Sequence, residues 1–93
     1  MKATAYQKGA IEMDYNFRIT GQVIGRIRTQ REISQEVLSG LSGVTRSHLA
    51  MIETGSKNAN VDTLWRIAAV LGMYLSELIK IIEEEHEKSA SKH

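Results

Sequence analysis

Two short helical patterns separated by a glycine occupy the stretch from Ile33 to Gly55, and this stretch constrains the fold more than any other part of the chain. Ser34 can cap the first helix, because its hydroxyl can accept a hydrogen bond from a free amide of the first turn. Gly43 then interrupts the pattern and can adopt the positive φ that a sharp helix exit needs. Thr45 can cap the second helix. The stretch therefore predicts two short helices joined by a tight turn.

Apolar residues of this stretch recur at helical spacing and leave a polar face on the second helix. Val37, Leu38 and Leu41 recur in the first helix, and Leu49 and Ile52 are the inward residues of the second. The outward residues of the second helix are Arg46, Ser47, His48 and Met51. A short helix with a polar, partly basic outer face is one that the major groove of DNA accepts.

The same residues form an ordered motif: an apolar residue, Ser-Gln-Glu, leucines alternating with small residues, Gly-Val, Ser or Thr, and Ile-Glu-x-Gly. The matching residues are Ile33, Ser34-Gln35-Glu36, Leu38, Ser39, Leu41, Ser42, Gly43-Val44, Thr45, Ile52-Glu53 and Gly55. This motif resembles that of the lambda-repressor-like, XRE-type (Cro/repressor) helix-turn-helix family, and the resemblance runs without a gap from about Gly21 to Lys80. It implies an all-α, five-helix DNA-binding domain.

Five helices are accordingly predicted, with boundaries that divide the chain into three parts. The predicted helices span about Gly21 to Arg31, Gln35 to Ser42, Arg46 to Thr54, Val61 to Leu71, and Leu75 to about Lys88. Residues 1–20 form an N-terminal arm, 21–82 the helix-turn-helix domain, and 83–93 a polar helix end and tail. The family usually has Gly at the position of Glu32, and Ser or another capping residue at that of Tyr74.

The N-terminal arm carries an alternating pattern from Ile11 to Ile19. Apolar residues there alternate with polar ones, which is typical of a β-strand. A lone strand cannot satisfy its own backbone groups, so this one would pair with the same segment of a second protomer. The alternative is an extended arm that packs Phe17 and Tyr15 onto the helices of its own chain.

Composition agrees with one small helical domain and excludes several kinds of site. The 93 residues include no Cys, which excludes disulfides and thiolate metal sites, and we expect no metal and no cofactor. No apolar run approaches the ~20 residues of a membrane span, and no signal-peptide stretch is present, so a cytoplasmic protein is expected. Net charge is +1, yet residues 18–66 hold seven basic side chains against four acidic ones. The predicted DNA-binding part is mildly basic.

The resemblance assigns DNA contacts to both helix starts and to the loop after the second helix. Gln35 can meet a phosphate or brace the first recognition residues, and the caps Ser34 and Thr45 can present their amides to phosphate. Arg46 is the best candidate for reading a base, since a guanidinium can donate two bonds to guanine, although it could instead hold a phosphate. The other candidates are Ser47, His48, Met51, Lys57 and Asn58, with Thr54 a weaker one.

Arg28 and Glu53 are expected to form a structural ion pair. In members of the family with this pattern, an Arg of the first helix meets the Glu that ends the third. Such a pair fixes helix orientation more than it adds net stability.

The last helix predicts an interface between two copies of the chain. Its apolar residues continue past those the domain core can use, so Ile81 and Ile82 are expected to be exposed in a monomer, and such a patch usually marks an interface. The predicted interface residues are Trp65, Leu78, Ile81 and Ile82, joined by Tyr15 and Phe17 if the arm crosses between subunits. The alternative is that the arm covers this surface within one chain.

Together these features predict a sequence-specific regulator of transcription that binds double-stranded DNA as a homodimer on a palindromic operator. One alternative is a DNA-binding antitoxin with a toxin partner, or a restriction-controller protein. Another is a protein-interaction module that keeps the fold without reading DNA. No set of residues has catalytic spacing, and His86 is assigned to the polar C-terminal tail, so the chain is not expected to be an enzyme.

Overall fold

A computed structural model describes residues 13–90 of the protein and consists of five α-helices. They are α1 Phe17–Gln30, α2 Gln35–Ser42, α3 Arg46–Thr54, α4 Val61–Val70 and α5 Leu75–Ala90. Helix α1 packs against α3 and α5, α2 against α3 and α4, and α4 against α5. The prediction of an all-α, five-helix domain is confirmed.

Local capping signals explain where most of these helices begin. Ser34 and Thr45 accept hydrogen bonds from the backbone amides of Val37 and His48, at 3.0 and 3.2 Å, as their positions in the sequence predict. Gly43 ends α2 with a φ of 76°. Helix α5 begins differently, because the carboxylate of Glu77 accepts the amide of Tyr74 at 2.8 Å. This bond is the reciprocal half of a capping box, without the side-chain cap itself.

The predicted β-strand from Ile11 to Ile19 is wrong over the residues that the structure describes. Residues 13–16 have no regular secondary structure, and α1 begins at Phe17, four residues before its predicted start; residues 11 and 12 lie outside the described part. Asn16 caps this helix by accepting the amide of Arg18 at 3.0 Å. Burial of Thr20, Val23, Ile24 and Ile27 then follows the helical period, so packing on the core decides the conformation.

Helix α5 is anchored to the N-terminal arm by His86, which the sequence pattern placed in a polar tail. Only 5% of this residue is exposed. Its Nε2 accepts the backbone amide of Asn16 at 2.9 Å, so the ring proton lies on Nδ1 and is donated to the Ile82 carbonyl at 2.7 Å. The ring of Tyr15 stacks on the imidazole, with centroids 5.4 Å apart and planes inclined by 15°.

Two residues that the sequence pattern assigned to an interface are buried in the core of the protomer. Leu78 is fully buried and Ile82 is 4% exposed, so the prediction that Ile82 is exposed in a monomer is wrong, while Ile81 is half-buried. Met13 and Tyr15 of the arm line the same groove as Ile82, which agrees with the alternative that the arm covers this surface within one chain. Of the three recurring apolar residues of α2, Leu38 is buried, whereas Val37 and Leu41 face solvent.

Glu32 occupies a backbone conformation that usually calls for glycine. Its φ is 57° at the exit from α1, and it is the one non-glycine residue with positive φ among those described. The left-handed conformation costs an L-residue about 1–2 kcal/mol. Glu32 therefore adopts at this turn the left-handed conformation that glycine would adopt without that cost.

Close approach of α1 to α3 depends on Gly21. A Cβ added there would lie 1.9 Å from the carbonyl oxygen of Ile52, whereas the closest described atom to a Cβ at Gly25 is a side-chain oxygen of Glu53 at 3.2 Å. A backbone carbonyl cannot move aside without shifting α3. Gly21 is therefore required for this packing.

Gly21→Ala is expected to lower the free energy of unfolding by several kcal/mol, because it forces α1 and α3 apart. Gly40→Ala is the matched control, since a Cβ there meets no described atom beyond its own helix within 4 Å. Alanine should stabilise α2 at this position by about 0.5–1 kcal/mol. Urea unfolding followed by circular dichroism measures both changes, and equal effects of the two substitutions would contradict the packing argument.

Candidate nucleic-acid interface

Helix α3 presents a polar face to solvent, as its periodicity predicts. Leu49 and Ile52 are buried against the core. The opposite face carries Arg46, Ser47 and Met51, which are exposed, and His48, which is half-exposed. None of these four side chains forms a hydrogen bond or ion pair within the described part of the chain. They are free to contact another molecule.

Gln35 is the candidate whose surroundings differ most from the expectation of a free contact residue. It is half-buried, and its Nε2 donates to Oε1 of Glu53 at 3.1 Å. The side chain therefore braces the end of α3, whereas the expected contact was with a phosphate or with the first recognition residues at the start of α3. The bond to Glu53 joins residues on different helices, and no spacing in the sequence could have indicated it.

Glu53 also accepts two hydrogen bonds from Arg28, so the predicted structural pair is present. The distances are 2.8 Å from Nε and 3.0 Å from the second terminal nitrogen, and the remaining terminal nitrogen donates to the Ile33 carbonyl at 2.7 Å. Both side chains are largely buried, with 16% and 9% exposed. Hydrogen bonding to Glu53 raises the pKa of the Arg28 guanidinium, although desolvation acts in the opposite direction. This network connects α1, α3 and the start of α2.

The loop after α3 is folded back on its own helix and presents exposed polar side chains. The backbone amides of Ser56 and Lys57 both donate to the Met51 carbonyl, at 2.8 and 3.2 Å. Thr54 donates its hydroxyl to the same carbonyl at 3.2 Å, and its Oγ1 lies 2.9 Å from the hydroxyl oxygen of Ser56, so it contacts the loop. Lys57 and Asn58 remain exposed. The side chain of Asn58 accepts a hydrogen bond from the hydroxyl of Tyr15 at 3.1 Å, a contact that the sequence did not indicate.

Charge is distributed so that the candidate interface keeps unpaired cations. Arg26, Arg28 and Arg66 pair with Glu85, Glu53 and Asp62. Arg46 and Lys57 form no ion pair with any residue from 13 to 90, and neither does Arg18. The stem of Arg18 lies against Gly55, because a Cβ added to that glycine would be 2.9 Å from its Cγ. Arg18 therefore adds an unpaired cation beside the loop that carries Lys57, and its place at the start of α1 gave no signal in the sequence.

Of the predicted interface residues, Trp65 is the large apolar side chain that stays on the surface, with 64% exposed. Tyr15 is also exposed but is engaged by His86, and Phe17 is half-buried. Exposed residues continue from Trp65 along α4 and onto the start of α5. This surface, called the α4 face below, consists of Val61, Trp65, Ala69 and Tyr74.

Within the described residues, no set of His and acidic side chains is grouped as a metal site would require. None of the five helices combines the length and the apolar character that crossing a membrane demands.

Comparison with known proteins places this arrangement among regulators. The family model described as "Helix-turn-helix" matches residues 24–78. An uncharacterized HTH-type transcriptional regulator of Sinorhizobium fredii is 30% identical over 67 residues, which cover 72% of this chain and 87% of that protein.

Two solved structures of controller proteins have the same fold. The restriction-modification controller protein C.AhdI from Aeromonas hydrophila is 32% identical, with a TM-score of 0.64, over 67% of this chain and 94% of that one. A second restriction-modification controller protein, solved as a tetramer in complex with its natural 35 base-pair operator, has a TM-score of 0.71 and 23% identity. The match covers 78% of this chain and 96% of that one.

Arg28→Ala is expected to lower the free energy of unfolding by about 3 kcal/mol, because it leaves the buried carboxylate of Glu53 without its cation. A double-mutant cycle with Glu53→Ala should give a coupling of about 1–3 kcal/mol in denaturant unfolding. Arg66→Ala is the control, since its pair with Asp62 is exposed and should contribute less than about 0.5 kcal/mol. Additive effects of Arg28→Ala and Glu53→Ala would contradict the pairing.

Proposed function

Because the chain belongs to the helix-turn-helix family, in its lambda-repressor-like, XRE-type branch, we propose that it is a regulator of transcription that binds specific double-stranded DNA as a homodimer. Helix α3 enters the major groove in this proposal. The protein acts by binding and not as an enzyme, and its place of action is the cytoplasm.

The observation that carries the proposal is the free polar face of α3. Arg46 lies at the first position of that helix and has no ionic partner from residue 13 to 90. Its guanidinium can donate two parallel bonds to the O6 and N7 atoms of guanine. Met51, five residues further along the helix, can contact a thymine methyl group. Ser47 and His48 supply further hydrogen-bonding groups on the same face.

Contacts to the DNA backbone set the position of α3 in the groove. Lys57 in the loop after α3 is exposed and unpaired within the described chain, so it can neutralise a phosphate. Ser34 and Thr45 begin α2 and α3, where free backbone amides and the helix dipole favour an anion. Such contacts raise affinity for all sequences, whereas the α3 side chains supply specificity.

A second copy of the chain is needed to address one site among many. One helix-turn-helix unit reads only about four or five base pairs, so two half-sites one helical turn apart are expected on a palindromic operator. The α4 face is the surface that we assign to the dimer, in place of Leu78 and Ile82, which are used within the protomer. A two-fold interface sets the same patch against itself, and Trp65 can pack against its symmetry mate there.

Control of a restriction-modification system is the second candidate function. It is favoured by the 32% identity to C.AhdI over 94% of that chain. Both candidates use the same DNA-binding surface and differ in the genes that the operator controls. Selection of bound sequences from random duplex DNA, followed by a search for those sequences beside genes, would separate them. A protein that binds no duplex DNA would instead be an interaction module with this fold.

Arg46→Ala is expected to weaken binding to the selected operator by about 1–3 kcal/mol and to relax the preference at one base step. Lys57→Ala is the matched control, because loss of a phosphate contact weakens operator and random DNA alike and lowers the salt slope by about one. Fluorescence anisotropy on both DNAs, over a range of salt concentrations, separates the two effects. An equal loss on both DNAs for Arg46→Ala would identify it as a phosphate contact.

Trp65→Gln is expected to raise the dimer dissociation constant about 30-fold or more, as for a central aromatic interface residue, while leaving the monomer folded. Leu41→Gln is the control, since Leu41 is also exposed, at 70%, but lies on α2. Analytical ultracentrifugation measures the association of both variants. Monomers of the unmodified protein at tens of micromolar, or equal effects of the two substitutions, would contradict the assignment.

A further inference from the structure

The hydroxyl of Tyr15 forms two hydrogen bonds within the protein that an exposed tyrosine does not require. More than half of the residue is exposed, so water could satisfy the hydroxyl. Instead, the hydroxyl lies 2.9 Å from Oγ1 of Thr20 and 3.1 Å from Oδ1 of Asn58. The first contact is with the neighbouring turn of α1. The second is with the loop to which we assign contacts with the DNA backbone.

The ring of Tyr15 is held in place independently of that loop. It stacks on the imidazole of His86, which is fixed by its bonds to the Ile82 carbonyl and the Asn16 amide. The hydroxyl is thus presented to Asn58 from a site that is built by α5 and the start of α1. The Tyr15 hydroxyl that bonds to Asn58 therefore has a position fixed by contacts outside the loop.

The Asn58 amide turns its Oδ1 toward the Tyr15 hydroxyl, and this sets the direction of both hydrogen bonds. A tyrosine hydroxyl has one proton, and Tyr15 donates it to Oδ1 of Asn58, so Thr20 donates its own proton to the Tyr15 oxygen. With Oδ1 engaged, the two N–H groups of Nδ2 are left without a hydrogen-bond partner among the described residues. The loop then offers two neutral donors on the residue that follows the cationic Lys57 in the chain.

We propose that Tyr15 is a positioning residue of the DNA-binding site, which holds the Asn58 amide so that its N–H groups donate to a backbone phosphate beside Lys57. The inference rests on the proposed function and adds a residue to it. Neutral donors contact phosphate oxygens without reading the sequence. An amide that is oriented before binding loses less side-chain freedom when DNA arrives. Tyr15 lies outside residues 24–78, which the family model matches.

Tyr15→Phe is the direct test, because it removes the hydroxyl and keeps the ring against His86. Binding to the selected operator should weaken about three- to tenfold, as for the loss of one hydrogen bond. Random duplex should weaken by the same factor, and the salt slope should not change, since no charge is lost. Asn58→Ala should have the same effects. The melting temperature of each variant, followed by circular dichroism, establishes that it is folded.

Double variants separate this positioning role from a general effect on structure. Adding Tyr15→Phe to Asn58→Ala should cause no further loss of affinity, whereas adding it to Lys57→Ala should cause its full loss. Additivity with Asn58→Ala, or unchanged affinity of Tyr15→Phe, would overturn the inference while leaving DNA binding established. Failure of the unmodified protein to bind any duplex DNA would overturn the proposed function, and this inference with it.

Discussion

The arrangement of the domain depends on the ion pair between Arg28 and Glu53. Arg28 lies near the end of α1 and Glu53 near the end of α3, and their paired hydrogen bonds set how α3 is rotated relative to α1. Gln35 donates to the same carboxylate, so the start of α2 is held against the same residue of α3. Leu49 and Ile52 hold α3 on the core by apolar contacts, which are non-directional. The directional bonds at its end add a fixed orientation to the burial of Leu49 and Ile52, and this is a contribution to specificity of structure more than to net stability.

Local signals made α2 and α3 predictable, whereas contacts between distant residues did not show in the sequence. Ser34, Gly43 and Thr45 act on their own neighbours, so a cap or a helix exit can be recognised from a few adjacent residues. The arm from Ile11 to Ile19 had an alternating pattern but no partner strand within the described chain, and the cap at Asn16 together with burial on the core favoured a helix. His86 gave no signal, because its partner Asn16 lies 70 positions away.

The candidate site was predictable to the same extent and for the same reason. The outward face of α3 follows from the period of Leu49 and Ile52, and the structure shows it exposed. The pattern of α5 could not reveal where the surface of the protomer begins, because apolar residues continue through Ile82 and the arm covers them. Trp65 stood out in the sequence only as an addition to that pattern. Because Trp65 is exposed in the structure, it is the main residue of the proposed interface.

The hydrogen bond between Asn16 and His86 also has a consequence for the order in which the molecule assembles. Asn16 and His86 are 70 positions apart. Bringing them together is entropically unfavourable until the intervening helices have folded, so the arm docks late in folding. These contacts are few and lie at one end of the domain, so they can open without unfolding of the remaining helices. Opening them would release Tyr15 from the loop after α3 while the five-helix core stays intact. The protein can therefore lose the hydrogen bond between Tyr15 and Asn58 without unfolding, and the proposed contact of Asn58 with the DNA backbone would then lose its fixed orientation.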